Sequence, residues 1–187
     1  MLDDPRKIVK KAFIRILTQT YLMSKRREVR QKLRDRRRSS LPIAIYETSV
    51  MVDIVLGNMS TSLLRNAQAN FNVVVPTITM GEVIKVLDDD RRISEELRTR
   101  ALGILNQCLS FIDEIRSIDQ EALDNDIALV NGFFKRFDDR VGPMDRLILA
   151  GSINIQPERF VTLDHDFLDL REEISREIGI TVKTALP

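Results

Sequence analysis

The 187-residue chain contains one cysteine, one histidine and no tryptophan. A lone Cys108 excludes an intramolecular disulfide. Its place on the apolar side of a predicted helix reads as a buried, inert thiol rather than a nucleophile. A single histidine, His165, excludes His-rich zinc sites, so any metal must be held by oxygen. His165 itself reads as a surface loop residue. Glycines are few, and none form a Gly-rich phosphate loop or nucleotide-binding fingerprint. No apolar run approaches the roughly 18 residues of a membrane span. The N-terminal stretch is charged and has no signal-like apolar segment. A soluble, cytoplasmic protein with no membrane contact is expected.

Charge is plentiful and unevenly placed. The net charge is only +1. Residues 1–40 nevertheless hold 14 Lys/Arg against 4 Asp/Glu, a net of +10, and the remainder carries a net of −9. A basic arm on an acidic body points to nucleic acid or an acidic partner. Residues 4–23 read as an amphipathic helix with Ile8, Ala12, Ile16 and Tyr21 in its apolar stripe. The stretch 24–38 carries Lys25, Arg26, Arg27, Arg30, Lys32, Arg34, Arg36, Arg37 and Arg38 with no aromatic residue. That pattern suits phosphate contacts rather than base stacking. Ser39-Ser40-Leu41-Pro42 breaks it, so the boundary divides a basic helical extension, 1–40, from a body, 41–187.

The body alternates strand and helix signals. Strands are expected at 43–46, 73–75, 115–118, 160–163 and 180–182. Helices are expected at 48–56, stopped by Gly57-Asn58, and at about 61–69 and 79–87. Others follow Ser94, Asp119 and Pro143. Strands separated by helices predict a three-layer α/β/α fold with a central, mainly parallel sheet. Sites in such folds lie beyond the carboxyl ends of the strands. Acids recur there: Glu47 follows the first strand, Glu82 lies past the second, Asp145 opens a helix, and Asp164 and Asp166 follow Phe160-Val161-Thr162. Converging carboxylates repel one another, and a hard divalent cation relieves that repulsion. The Asp88-Asp89-Asp90 run reads as a solvated turn.

Four segments resemble the motifs of PIN domains: Tyr46-Glu47-Thr48-Ser49-Val50-Met51-Val52-Asp53, Pro76-Thr77-Ile78-Thr79-Met80-Gly81-Glu82-Val83, Pro143-Met144-Asp145-Arg146-Leu147-Ile148-Leu149-Ala150, and Val161-Thr162-Leu163-Asp164-His165-Asp166-Phe167. The resemblance covers about residues 43–183 with all elements in order. It implies a Mg²⁺- or Mn²⁺-dependent ribonuclease, either a toxin of a toxin–antitoxin pair or an RNA-processing enzyme. The expected products carry 5′-phosphate and 3′-hydroxyl ends. It implies catalytic acids at Glu47, Glu82, Asp145 and Asp164, and metal ligands among Glu47, Asp145, Asp164 and Asp166. Asp145 and Asp164 are the direct ligands expected, and Glu82 is a base or holds a water. Thr48, Ser49 and Thr162 are expected to orient these groups. RNA is the implied substrate, with an antitoxin or other protein partner and a homodimer as further associations.

One position departs from the family pattern. The first acid is usually aspartate, and here it is Glu47, whose longer stem moves the carboxylate by about one bond length. A shifted site, a preference for manganese, or a weak site would each follow. The alternative reading is therefore a catalytically weak or inactive PIN-like module that binds RNA or a protein. An α/β phosphatase is disfavoured, because its Asp-x-Asp nucleophile motif should follow the first strand, where Glu47-Thr48-Ser49 stands.

Overall fold

A computed structural model describes residues 41–89, 93–117 and 120–185. The basic arm and its cations Lys25, Arg26, Arg27, Arg30, Arg34, Arg36, Arg37 and Arg38 lie outside the described residues, as do Asp90 and the expected cap Asp119. The elements below all belong to one unit, Pro42–Pro187.

Five strands form one wholly parallel sheet: β1 (Ile43–Tyr46), β2 (Asn72–Pro76), β3 (Glu114–Arg116), β4 (Arg159–Thr162) and β5 (Val182–Thr184), in the order β3-β2-β1-β4-β5. The three inner strands are near-continuous apolar runs, as burial on both faces requires. The edge strands, Glu-Ile-Arg and Val-Lys-Thr, carry charges that discourage pairing with another chain.

Register places Val74, Ile45, Phe160 and Val182 in one row across the sheet. All four belong to the main core cluster with Val130, Phe134, Ile148, Phe167 and Ile174. The covering helices are α5 (Gln120–Phe137), α6 (Pro143–Ile153), α7 (His165–Leu168) and α8 (Arg171–Glu177). Phe134 and Phe160 each meet Phe167 edge to face, with centroids 6.2 and 5.3 Å apart. Alternation sends Val73, Val75, Ala44 and Tyr46 to the opposite face. There α1 (Thr48–Leu56) packs against α3 (Thr77–Asp88) and α4 (Glu95–Cys108), with α2 (Ser62–Ala67) beside β2. The outcome is the expected α/β/α arrangement. Cys108 is fully buried, and burial pushes its thiol up to about 11.

Local chemistry sets most boundaries. Gly57 closes α1 at φ 85°, a left-handed conformation in which a Cβ is strained, and its N–H bonds back to Asp53 and Ile54 carbonyls. Ser94 caps α4 through Leu97 N–H. Pro143 opens α6, where a missing N–H is harmless. One expectation needs correction, and one segment went unread. The last strand is Val182–Thr184 rather than 180–182, because its ladder with β4 begins at Phe160–Val182. The run 165–177 contains two short helices that no apolar periodicity announces: α7 buries only Phe167, and α8 buries only Ile174. Among the described residues no helix is long and apolar enough to cross a membrane.

Candidate functional site

Strand order reverses at β1: the chain steps outward through β2 and β3, then returns to β4 on the other side of β1. The carboxyl ends of β1 and β4 therefore flank a switch point, the usual crevice for a site in such sheets. Three of the joints are short. Only Glu47 separates β1 from α1, α3 follows β2 with no intervening residue, and Leu163-Asp164 link β4 to α7. Helix N-termini thus gather at one sheet edge, where their dipoles favour carboxylates.

Glu47 is 2% exposed and caps α1. Its Oε2 accepts from Ser49 N–H at 2.9 Å, from the Ser49 hydroxyl in a short contact, and from Thr162 Oγ1 at 3.1 Å. The two hydroxyls are themselves anchored on the β4 exit. Leu163 N–H donates to Ser49 Oγ at 3.0 Å, and Asp164 N–H donates to Thr162 Oγ1 at 2.9 Å. Glu47 N–H adds a bond to the Val161 carbonyl at 3.0 Å. Glu47 is thus the knot that ties β1 to β4. Burial raises its pKa, the Ser49 and Thr162 bonds pull it down, and Asp164 raises it further.

The other acids surround this knot. Glu82, on α3, accepts from Thr48 Oγ1 at 2.9 Å, which ties the second acid to the first helix. Asp164 caps α7, its Oδ1 accepting from Asp166 N–H at 2.9 Å. Asp145 lies in the first turn of α6, half-buried. Burial pushes its carboxyl up to about 6, reinforced by the negative charges of Asp164, Glu47, Glu82 and Asp166, in that order. The five predicted acids therefore share one electrostatic neighbourhood, and among the described residues no cation contributes to that balance at Asp145. Thr48, Ser49 and Thr162 each donate a hydroxyl to an acid. Asp53 stands apart, accepting from Asn58 at the far end of α1. His165 is exposed.

An all-oxygen carboxylate set has the donor chemistry of a hard divalent cation site. The side chains do not yet enclose one. Among the described residues, no group of three or more Asp, Glu, His or Cys is arranged to hold a metal ion. Glu47, Glu82 and Asp164 each turn one oxygen toward a protein donor.

Two residues outside the predicted set bear on these acids. Arg140, on the loop before α6, is paired with Asp138 at 2.7 Å, and its charge is coupled to Asp166. Gly142 is the N-cap of α6 and approaches the Asp145 carboxylate closely. The Gly-Pro pair before the helix was the available sequence signal for Gly142. Nothing in the sequence marked Arg140.

No protein-family model and no curated protein matches the chain. Solved structures do. VapBC2 from Rickettsia felis, bound to a DNA fragment from its promoter, aligns with a TM-score of 0.60 at 14% identity, covering 76% of this chain and 98% of that chain. DNA-bound VapBC from Salmonella typhimurium gives 0.55 at 14%, covering 78% and 99%. FitAcB from Neisseria gonorrhoeae gives 0.55 at 13%, covering 76% and 98%. At such identity the likeness speaks for the fold. Together with the strand order and the ordered acidic motifs, it establishes that this chain has a PIN-domain α/β/α fold.

Proposed function

We propose that the protein is a metal-dependent endoribonuclease of the PIN type, cutting RNA at the acid cluster on the β1/β4 switch point. The observation that carries this reading is Asp145. A half-buried carboxylate raised to about 6 by burial first, and then by the charges of four neighbouring acids, is a group that a cation or a proton would relieve. The fold shared with VapBC and FitAcB structures supports the same reading.

In this reading Asp145 and Asp164 would hold a Mg²⁺ or Mn²⁺ ion, with Asp166 beside them. Such an ion, when bound, supplies charge neutralisation at the phosphate and acidifies a water. Glu82, oriented by Thr48, would take a proton from the water whose oxygen bonds to phosphorus as the P–O3′ bond breaks, and the leaving 3′-oxygen would take a proton from solvent. Glu47 is given a different part from the first-ligand role expected of that position. Its Oε2 already accepts three protein donors, so it holds Ser49, Thr162 and the β4 exit in place and adds negative potential. Lys25, Arg26, Arg27, Arg30, Arg34, Arg36, Arg37 and Arg38 would hold the RNA backbone by charge. The motif resemblance to toxin halves of toxin–antitoxin pairs, together with the VapBC likeness, supports an antitoxin as the protein partner and a homodimer as the assembly, in the cytoplasm.

The test is cleavage of single-stranded RNA with Mg²⁺ or Mn²⁺, with Asp145→Asn as control. Activity that disappears on chelation and in the variant supports the enzyme. Tight RNA binding without cleavage in either metal would instead favour the non-catalytic module, to which the capping role of Glu47 also points.

A further inference from the structure

We propose that Gly142 is a positioning residue for the Asp145 carboxylate. The backbone at Gly142 has φ −61° and ψ 153°, a conformation open to any L residue. Nothing in the chain path therefore calls for glycine. Helix chemistry accepts glycine at an N-cap but does not require it: Ser, Asp or Asn would add a side-chain oxygen to accept an orphan N–H of the first turn. Here α6 has no side-chain cap bond at all.

The group that excludes a side chain is the acid three residues on. A Cβ at position 142 would lie 2.7 Å from Asp145 Oδ2 and 3.8 Å from its Cγ, and its chain neighbours apart it would meet no other side chain within 4 Å among the described residues. By contrast, a Cβ at Gly81, Gly103 or Gly132 would meet nothing within 4 Å. The Asp145 carboxylate folds back over its own helix cap, and the vacant Cβ position is what admits it. A side chain at 142 displaces only the free end of an aspartate, which the fold tolerates readily. The site does not, because misplacing a reacting group by about 1 Å can lower a rate by roughly 100-fold. The functional half of this inference rests on the reading of Asp145 as a pocket acid.

The test uses the full chain carrying Gly142→Ser, which keeps a capping oxygen, and Gly142→Ala, which does not. Three measurements are made: a crystal structure grown with chelator, thermal denaturation in EDTA and over a Mn²⁺ titration, and steady-state cleavage of single-stranded RNA. Gly142→Ser is expected to melt in EDTA within a few degrees of the parent, with the Asp145 carboxylate visibly displaced. The Mn²⁺ concentration for half-maximal stabilisation should rise about tenfold or more, and kcat should fall by roughly 10- to 100-fold while KM for RNA stays within about twofold. An unmoved carboxylate overturns the inference. So does a moved carboxylate with unchanged Mn²⁺ response and kcat. Unfolding of both variants in EDTA overturns it too, because it would assign Gly142 to the fold and not to the acid. If the parent neither cleaves RNA nor responds to Mn²⁺, the proposed function fails, and the displacement in the crystal alone decides whether Gly142 positions Asp145.

Discussion

Replacing Asp145 by asparagine removes one negative charge from a pocket of like charges while preserving side-chain shape. The folded protein holds the Asp145 proton more tightly than the unfolded chain, because its carboxyl is raised from 3.8 to about 6. Ionising this group on the folded protein is therefore unfavourable. Its contribution to stability is fully present below about pH 4, declines as pH rises through 6, and is lost above about pH 7. A rise of that size corresponds to roughly 3 kcal/mol at ~1.4 kcal/mol per pH unit. Asp145 is only half-buried, so solvent screening reduces the expectation to about 1.5 kcal/mol. Asp145→Asn should therefore be more stable than the parent at pH 7.5 in EDTA by about 1.5 kcal/mol, or roughly 3–6 °C in Tm for a domain of this size. At pH 4 the two proteins should be nearly equal. Urea unfolding at the two pH values measures the difference. A variant no more stable than the parent at pH 7.5, or equally stabilised at pH 4, would refute the electrostatic reading. Adding Mn²⁺ should reverse the order at pH 7.5, because only the parent keeps the full carboxylate set.

Four further outcomes can be checked. Glu47→Ala leaves the Ser49 N–H and two hydroxyls without their acceptor and should cost about 2–4 kcal/mol by urea unfolding, with Glu47→Gln losing less because its carbonyl still accepts. Thr79→Val should stabilise by about 1 kcal/mol, since the Thr79 hydroxyl is buried without a partner among the described residues and valine keeps its shape; a loss of stability would show that the hydroxyl is engaged. Phe167→Ala opens a cavity between Phe134 and Phe160 and should cost about 3–5 kcal/mol by calorimetry or denaturant. Joint replacement of Arg34, Arg36, Arg37 and Arg38 by alanine should lower the salt slope of RNA binding by about 3, taking ~0.7 per phosphate contact on single strands; an unchanged slope would remove the arm from the RNA interface.

Some of this molecule was readable directly from residue order. The β-branched run at Val73-Val74-Val75, the Gly57 stop, the Ser94 cap and the Pro143 start each act through their own backbone chemistry, so local sequence was enough to place β2, α1, α4 and α6. The short helices α7 and α8 were not readable, because one buried residue apiece gives no period and helices this short depend on tertiary packing. The register of β5 was likewise decided by its ladder with Phe160 rather than by its own apolar residues.

The candidate site divides along the same line. The sequence by itself determined which acids are present and that each lies at or within two helical turns of a strand end or a helix start, because strand–helix alternation fixes which sheet edge they reach. Only the tertiary structure decided what each acid does with its oxygens. Whether Glu47 faces a pocket or its own helix cap depends on Ser49 and on Thr162, 115 residues away in the chain. Whether Asp145 is crowded depends on charges drawn from three other elements. That a Cβ at position 142 would come within 2.7 Å of that carboxylate is set by how the cap and the first turn of α6 fold together. Residue types specify the chemistry available to a site, but hydrogen-bond partners and like-charge distances exist only once the chain has closed on itself.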